Sequence, residues 1–111
     1  MGQLLHHKKY KTTPKKKASQ KTATQSRILE RVVRGFANHR RIEMLRLLQK
    51  HPELSVEEVA GELSINAKTA SAHMQRLAIA GLVLKRNAGQ AVRHKLTKRG
   101  EDVLIFLRTL E

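Results

Sequence analysis

The stretch from Ser55 to Ala80 constrains the fold more than any other part of the chain, because it predicts two short helices joined by a three-residue turn. Ser55 followed by Glu58 forms a capping box, which marks the start of the first helix. The turn 64–66 interrupts the apolar periodicity, and Asn66 is a favourable N-cap for the second helix. This arrangement predicts either a plain helical hairpin or a helix-turn-helix unit whose second helix enters a DNA major groove.

The two helices carry their apolar residues on single faces at helical spacing. In the first helix these residues are Val56, Val59, Ala60 and Leu63. In the second helix they are Ala70, Met74 and Leu77. The second helix then keeps a polar, cationic outer side, formed by Lys68, Thr69, Ser71, Ala72, His73, Gln75 and Arg76. A cationic outer face favours the helix-turn-helix interpretation over the plain hairpin.

These outer residues suggest separate roles along a duplex. The first turns of the second helix are expected to reach base edges through Lys68, Thr69, Ser71 and Ala72. Gln75 can form paired hydrogen bonds with adenine if it reaches that far. His73 and Arg76 are expected to hold phosphates, although His73 fits a packed, hydrogen-bonded position equally well.

Charge supports a polyanionic partner. The 111 residues carry a formal net charge of +14, which favours nucleic acid or an anionic membrane surface. No apolar run approaches the length of a membrane span, and the N-terminus lacks the hydrophobic stretch of a signal peptide. We therefore expect a cytoplasmic, nucleoid-associated protein of one domain, with no membrane partner.

Composition narrows the function further. The chain has no cysteine, which excludes disulfides, thiolate metal sites and thiol redox sensing. Aromatic residues make up 3% with no tryptophan, which argues against binding single strands by base stacking. No paired carboxylates, nucleophile–base set or Gly-rich phosphate loop occurs at usable spacing, so no enzymatic activity is expected.

Residues 1–25 contain seven lysines, two histidines and no acidic residue. The segment shows no periodicity and is predicted to be disordered. It fits a basic arm that follows phosphates or lies in a minor groove, and the alternative is a solubilising tail. The adjacent pair His6 and His7 has too few companions to predict a metal site.

Two helices are predicted before the helix-turn-helix unit. The first spans 26–36, with an apolar face made by Ile28, Leu29, Val32, Val33 and Phe36. Asn38 can cap the second, 39–50, whose inward residues are Ile42, Met44, Leu45 and Leu48. Arg40 and Arg41 near its start oppose the helix dipole, a conflict that a bound phosphate would remove. The alternative is a solvated helix end.

Gly81 occupies the usual C′ position after the second helix of the unit. Strands are predicted at 82–86 and 91–96, joined by the hairpin residues 87–90. In the second strand Val92, His94 and Leu96 are expected to face the domain. The hairpin is basic near its tip through Lys85, Arg86, Arg93 and Lys95. This suits a wing along a DNA backbone, or an exposed hairpin whose charges keep its edges from pairing.

A last helix, 98–110, is capped by Thr97 and is apolar nearly all round. One small domain cannot cover so broad an apolar surface with a single stripe. We therefore expect helices 26–36 and 98–110 to pack against a second copy, unless the last helix is wholly internal. The predicted dimer residues are Ile28, Leu29, Val32, Phe36, Val103, Phe106, Leu107 and Leu110.

The predicted order resembles the arsenical-repressor (ArsR) type of winged helix-turn-helix regulators over residues 28–110. The matching segments are HRRIEMLRLL (39–48), 54–83 and HKLTKRG (94–100). The most specific part is Ser71 and His73, followed by Leu77 and Gly81-Leu82-Val83. The resemblance implies a dimeric repressor that pairs through its first and last helices and reads palindromic operators.

The chain departs from this family at its metal sites. Metal-sensing members carry cysteines on the first helix of the unit, or His and acidic ligands on the terminal helix. Here cysteine is absent and residues 101–111 contain no histidine. Metal ligands require defined side chains at fixed spacing, so no metal or cofactor is predicted. No effector ligand follows from the sequence.

The sequence thus predicts a mainly α fold with a small β-hairpin, in which a basic tail (1–25) precedes a winged helix-turn-helix domain (26–111). The expected function is sequence-specific binding of double-stranded DNA by a homodimeric regulator, and the resemblance implies that this regulator is a repressor. The alternative is an architectural or RNA-associated basic protein without sequence preference.

Overall fold

A computed structural model describes the backbone of residues 16–111 and the side chains from residue 22 onward. The helices and strands of this part are α1 (Lys16–Phe36), α2 (His39–Lys50), α3 (Val56–Leu63), α4 (Ala67–Ile79), β1 (Val83–Ala88), β2 (Ala91–Leu96) and α5 (Lys98–Thr109). This order confirms the predicted winged helix-turn-helix. The described residues before Arg31 and the segment Arg31–Glu111 belong to separate compact units. No helix of the described part is long and apolar enough to cross a membrane.

Helix α1 begins at Lys16, ten residues before the predicted start. The prediction of disorder is therefore wrong for residues 16–25, and for residues 1–15 it lies outside the described part of the chain. The physical reason is visible in the sequence. No glycine or proline occurs between Pro14 and Gly35, and the lysines, alanines and glutamines in this interval have favourable helix propensity.

The next three helices begin at the predicted caps. The Asn38 side chain accepts hydrogen bonds from backbone N–H groups in the first turn of α2, and Asn66 does the same for α4. At α3 the Ser55 hydroxyl accepts from the Glu58 N–H while the Glu58 carboxylate accepts from the Ser55 N–H, which completes the capping box. Ser64 ends α3 in the left-handed conformation, with φ 54°, and so turns the chain toward α4.

The core lies between α2, α3, α4 and the hairpin. Its largest fully buried side chains are Met44, Leu45, Leu48, Val59, Met74, Leu77, Leu82 and His94. The inward faces predicted for α2, α3 and α4 are confirmed at these positions. Val56 and Leu63 are half-buried at the edge of the core, and Ile42, also predicted to face inward, is half-buried. Burial of one face of α4 fixes which of its residues remain outside.

The hairpin is longer and tighter than predicted. Strand β1 extends to Ala88, which pairs with Ala91, so only Gly89 and Gln90 form the turn. The four-residue link is therefore wrong, because Gly89 adopts φ 65° and closes the turn within two residues. The backbone N–H of His94 donates to the Leu54 carbonyl oxygen at 2.9 Å, which joins the hairpin to the segment before α3.

Helix α5 packs closely on the start of the hairpin. A Cβ at Gly100 would collide with the carbonyl oxygen of Leu82, so the approach requires glycine at this position. The Thr97 hydroxyl accepts from the Gly100 N–H at 3.1 Å and donates to the Gly81 carbonyl at 2.7 Å. One side chain thereby caps α5 and ties it to the end of α4.

Strand β2 buries a histidine at the centre of its inner face. His94 is 2% exposed, and neither ring nitrogen has a hydrogen-bond partner within the described part of the chain. Burial lowers the pKa of His94, and Lys85 lowers it further, while the Leu54 backbone acts in the opposite direction. The inward orientation of His94 is confirmed. Val92 lies on the same face, toward α4, and is 44% exposed near the hairpin tip.

The variant His94→Leu is expected to raise the free energy of unfolding by about 1–3 kcal/mol near pH 8, because it removes a buried unpaired polar group. The folded pKa of His94 is depressed, so the unfolded chain binds more protons and stability falls as the pH drops below about 6.5. The variant is expected to lose part of this acid sensitivity. His73 retains its own share, since its pKa is also lowered.

Urea unfolding followed by circular dichroism at pH 5 and pH 8 measures this difference. His51→Leu is the matched control, because the same substitution there removes an exposed imidazole instead of a buried one. An unchanged acid sensitivity in His94→Leu would contradict the assignment.

Candidate nucleic-acid interface

The outer face of α4 is a polar surface of the helix-turn-helix unit. Its predicted members are exposed, except that His73 is half-buried. Helix α4 contains no acidic residue, and in the described part of the chain no carboxylate lies within ion-pair distance of Lys68 or Arg76. The face therefore presents cations and hydrogen-bond donors that are available to a polyanion.

A cluster of like charges lies where α2 begins beside α4. We define the cationic cluster as His39, Arg40, Arg41, His73 and Arg76. The pKa of His73 is lowered by burial and then by the other four members. The pKa of Arg41 is lowered by burial and by Arg76. Such mutual repulsion would be relieved by a bound anion, so the cluster is a candidate phosphate site.

The two arginines at the start of α2 differ in their availability. Arg40 Nη1 donates to Glu43 Oε1 at 3.1 Å, a pair whose side chains are both more than one third exposed. Arg41 Nε is buried and has no hydrogen-bond partner among the described residues. Both were predicted to contact DNA backbone, and Arg41 is the better placed because a bound anion would also satisfy its orphaned donor.

The wing places its basic residues on two opposite faces. Lys85 pairs with His94 across the hairpin, whereas Arg86 pairs with Arg93. Successive residues of a strand point to opposite sides, so Lys85 shares the face that turns toward α4. The sequence grouped the wing residues into one basic tip. The structure separates Lys85 from both arginines.

Carboxylates of the segment before and within α3 engage the two wing arginines. Arg86 Nε donates to Glu53 Oε1 at 2.5 Å, and Arg93 Nη1 donates to Glu58 Oε1 at 3.1 Å. Arg93 also donates to the Glu53 backbone carbonyl at 2.9 Å. Hydrogen bonds from Ser55, and then Arg93, hold the pKa of Glu58 low. Arg86 and Arg93 are therefore partly neutralised, while Lys95 is exposed.

A cleft of about 660 Å³ separates α4 from the wing. We call it the helix–wing cleft. Its polar lining includes Lys68, Ser71, Gln75, Lys85, Gln90 and Glu57. Gln90 was not identified from the sequence as a site residue, because its position depends on the two-residue turn. The cleft brings a wing lysine beside the residues predicted to read bases, so a strand of nucleic acid could contact both.

Two helices expose apolar side chains outside this interface. Ile105 and Phe106 on α5, with Leu110 directly after the helix, are 52–67% exposed. On α1, Ile28, Leu29 and Val33 are also exposed.

Phe36 and Val103, two of the predicted dimer residues, are buried within the chain's own core and leave little surface for a partner. Val32 and Leu107 are half-buried against the same core. The dimer role of the predicted residues stays a prediction.

Potential metal ligands do not cluster in the part of the chain that the structure describes. No group of three or more His, Cys, Asp or Glu side chains is close enough there to hold a metal ion.

Comparisons with known proteins match this architecture. Residues 38–83 match a family described as winged helix-turn-helix DNA-binding. The chain is 40% identical over 73 residues to the HTH-type transcriptional regulator Rv0324 of Mycobacterium tuberculosis, a match that covers 66% of this chain and 31% of that protein. The chain thus spans about a third of the length of this curated relative.

Solved structures extend the match. One is the homodimeric winged helix-turn-helix DNA-binding domain of Mb0332 from Mycobacterium bovis, a possible ArsR-family regulator, with 34% identity, a TM-score of 0.68 and 79% of each chain covered. Another is reduced HlyU from Vibrio cholerae, with 28% identity, a TM-score of 0.70 and coverage of 82% of this chain and 96% of that one.

The fold and the cationic face of α4 define a winged helix-turn-helix protein. The match over residues 38–83 and the similarity to Mb0332 and Rv0324 identify the family. The chain belongs to the winged helix-turn-helix regulators of the ArsR-like type.

The variant Glu53→Gln is expected to release Arg86 and to tighten duplex DNA binding about two- to threefold at low salt, because a competing carboxylate is lost. If Arg86 then contacts a phosphate, the slope of log K against log salt steepens by about 0.9. Folding stability is expected to change by less than about 1 kcal/mol, since the ion pair is exposed.

Fluorescence anisotropy with a labelled duplex at several salt concentrations measures both quantities. Glu111→Gln is the control, because it breaks another exposed arginine–glutamate pair, with Arg46, and changes net charge equally. Equal effects of the two variants would show that only net charge had changed.

Proposed function

We propose that the protein is a sequence-specific regulator that binds double-stranded DNA as a homodimer and represses transcription by occluding a promoter. The observation that carries this proposal is the acid-free outer face of α4, which lies between the cationic cluster and the helix–wing cleft. A helix with donors along its face and cations beside it suits a major groove between two phosphate strands.

The residues of α4 are proposed to have two roles, according to the groove that each residue lines. Lys68, Ser71 and Gln75 line the helix–wing cleft and are proposed to read base edges. Arg41, His73 and Arg76 line a groove on the other side, which Lys68 also reaches, and these three residues are proposed to hold phosphates. Thr69 and Ala72 are exposed within the same outer face and complete the proposed contact surface.

The homodimer is supported by two features. Helix α5 exposes Ile105, Phe106 and Leu110, which a partner could cover. The Mb0332 domain is described as homodimeric. In a two-fold dimer the paired α4 helices would lie about 34 Å apart, one turn of DNA, and would read a palindromic site.

A second candidate function is architectural or RNA-associated binding without sequence preference. The net charge of +14 and the lysine-rich residues 1–15 favour it, because phosphate attraction alone supplies most non-specific affinity. Selection of bound duplexes from a random pool separates the two functions. An enriched two-fold symmetric site supports the regulator, and equal affinity for all duplexes supports the alternative.

The variants Lys68→Gln and Arg76→Gln are expected to weaken duplex binding in different ways. Arg76→Gln is expected to lower affinity for all sequences and to reduce the salt slope by about 0.9, as the loss of one phosphate contact requires. Lys68→Gln is expected to cost about 1–3 kcal/mol on the selected site and less on a random duplex, because a base contact carries discrimination.

Anisotropy titrations on both duplexes measure these effects, with Arg108→Gln on the exposed part of α5 as the control. If reversal of charge at Lys68 and Arg76 together left duplex affinity at the wild-type value, the proposed docking face would be wrong.

The variant Phe106→Glu is expected to weaken self-association by at least about tenfold, because it places a charge within an apolar contact. Sedimentation equilibrium over a range of protein concentrations measures the dimer constant. Leu84→Glu is the matched control, since Leu84 is a similarly exposed apolar residue on the wing. A wild-type monomer at all concentrations would refute the dimer.

A further inference from the structure

A second groove lies along α4, on the side that faces α1. We call it the arginine groove, since it is lined by Arg31, Arg34, Arg41 and Arg76, with apolar surface from Ile79 and Ala80. Its volume is about 610 Å³, which is the size of a small-molecule site. No acidic residue lines it. The lining is therefore cationic, and Arg31, Arg41 and Arg76 are the guanidinium groups on which the inference depends.

The walls of the groove are set by close helix packing. A Cβ at Gly35 would collide with the Cβ of Ala80, so glycine lets the end of α1 approach the end of α4 closely. Ile79 is 79% exposed beside this contact, whereas the other large apolar side chains of α4, Met74 and Leu77, are buried. The groove thus combines cationic donors with an uncovered apolar wall.

Two of these arginines also belong to the cationic cluster. Arg41 and Arg76 line both the arginine groove and the groove that contains His73. Burial and the charge of Arg76 lower the pKa of Arg41, and Arg41 Nε has no partner among the described residues. An anion on either side would relieve this repulsion, so the two sides compete for the same guanidinium groups.

We propose that the arginine groove binds a small organic anion, a carboxylate or phosphate with an apolar body, and that this ligand displaces nucleic acid from Arg41 and Arg76. The carboxylate or phosphate would accept bidentate hydrogen bonds from arginine, and the apolar body would cover Ile79. Binding of the anion is independent of the function proposed above, whereas the displacement rests on it.

Calorimetric titration of the full chain at constant ionic strength tests the binding, with benzoate, benzamide and inorganic phosphate as probes. Benzoate is expected to bind one per chain and benzamide is not, because only the former carries a charge. Phosphate is expected to bind more weakly, since it leaves Ile79 uncovered. Equal affinity for benzoate and benzamide, or for benzoate and phosphate, would overturn the assignment.

Variants locate the site. Arg31→Gln is expected to weaken benzoate binding about tenfold, because a charge-assisted hydrogen bond is lost. Ile79→Ser is expected to weaken the binding of benzoate and to leave the binding of phosphate unchanged. Arg108→Gln is the control and is expected to bind benzoate as the wild type does. Both test positions are exposed, and circular dichroism checks that the variants fold. An equal loss in Arg108→Gln would overturn the site.

A duplex arm separates this proposal from the proposed function. Benzoate is expected to weaken duplex binding by the wild type, and Arg31→Gln to bind duplex as the wild type does without responding to benzoate. If Arg31→Gln weakened duplex binding and left benzoate binding intact, the groove would be a DNA-phosphate site and the proposal would fail. Benzoate binding by a protein that binds no duplex would instead refute the regulator alone.

Discussion

Burial of one face of α4 is the interaction on which the rest of the structure depends. Ala70, Met74 and Leu77 are packed against α2, α3 and the start of the hairpin. Because these residues recur at helical spacing, their burial sets the rotation of the helix and thereby exposes its cationic side. The Asn66 cap fixes where the helix begins, so the residues of its first turn are presented together.

Local signals in the sequence were enough to predict the helix-turn-helix unit. Contacts between residues far apart in the chain could not be predicted in this way. Caps at Asn38, Ser55 and Asn66 are decided by side-chain hydrogen bonds within three residues, so they can be identified without the fold. The predicted start of α1 was wrong, although it also depends on local signals. Helix propensity after Pro14 is favourable but weak per residue, and the basic composition suggested disorder instead.

The wing shows what sequence reasoning could not predict about the site. Alternation along β2 placed His94 inward, but it could not show that Arg86 and Arg93 would pair with carboxylates more than thirty residues away in the chain. The net charge of the sequence counts both arginines as positive and does not show that carboxylates offset them. Ion pairing instead leaves the free charge concentrated where α4 meets the start of α2, and there acidic neighbours are scarce.

That concentration of charge links the two sides of α4. Burial and neighbouring cations lower the pKa values of His73 and Arg41. Placing these groups together therefore costs electrostatic free energy. Any anion recovers part of this cost, whether it approaches from the outer face or from the arginine groove. Since Arg41 and Arg76 can satisfy only one such approach fully, occupancy of one side lowers affinity at the other by the same coupling free energy in both directions.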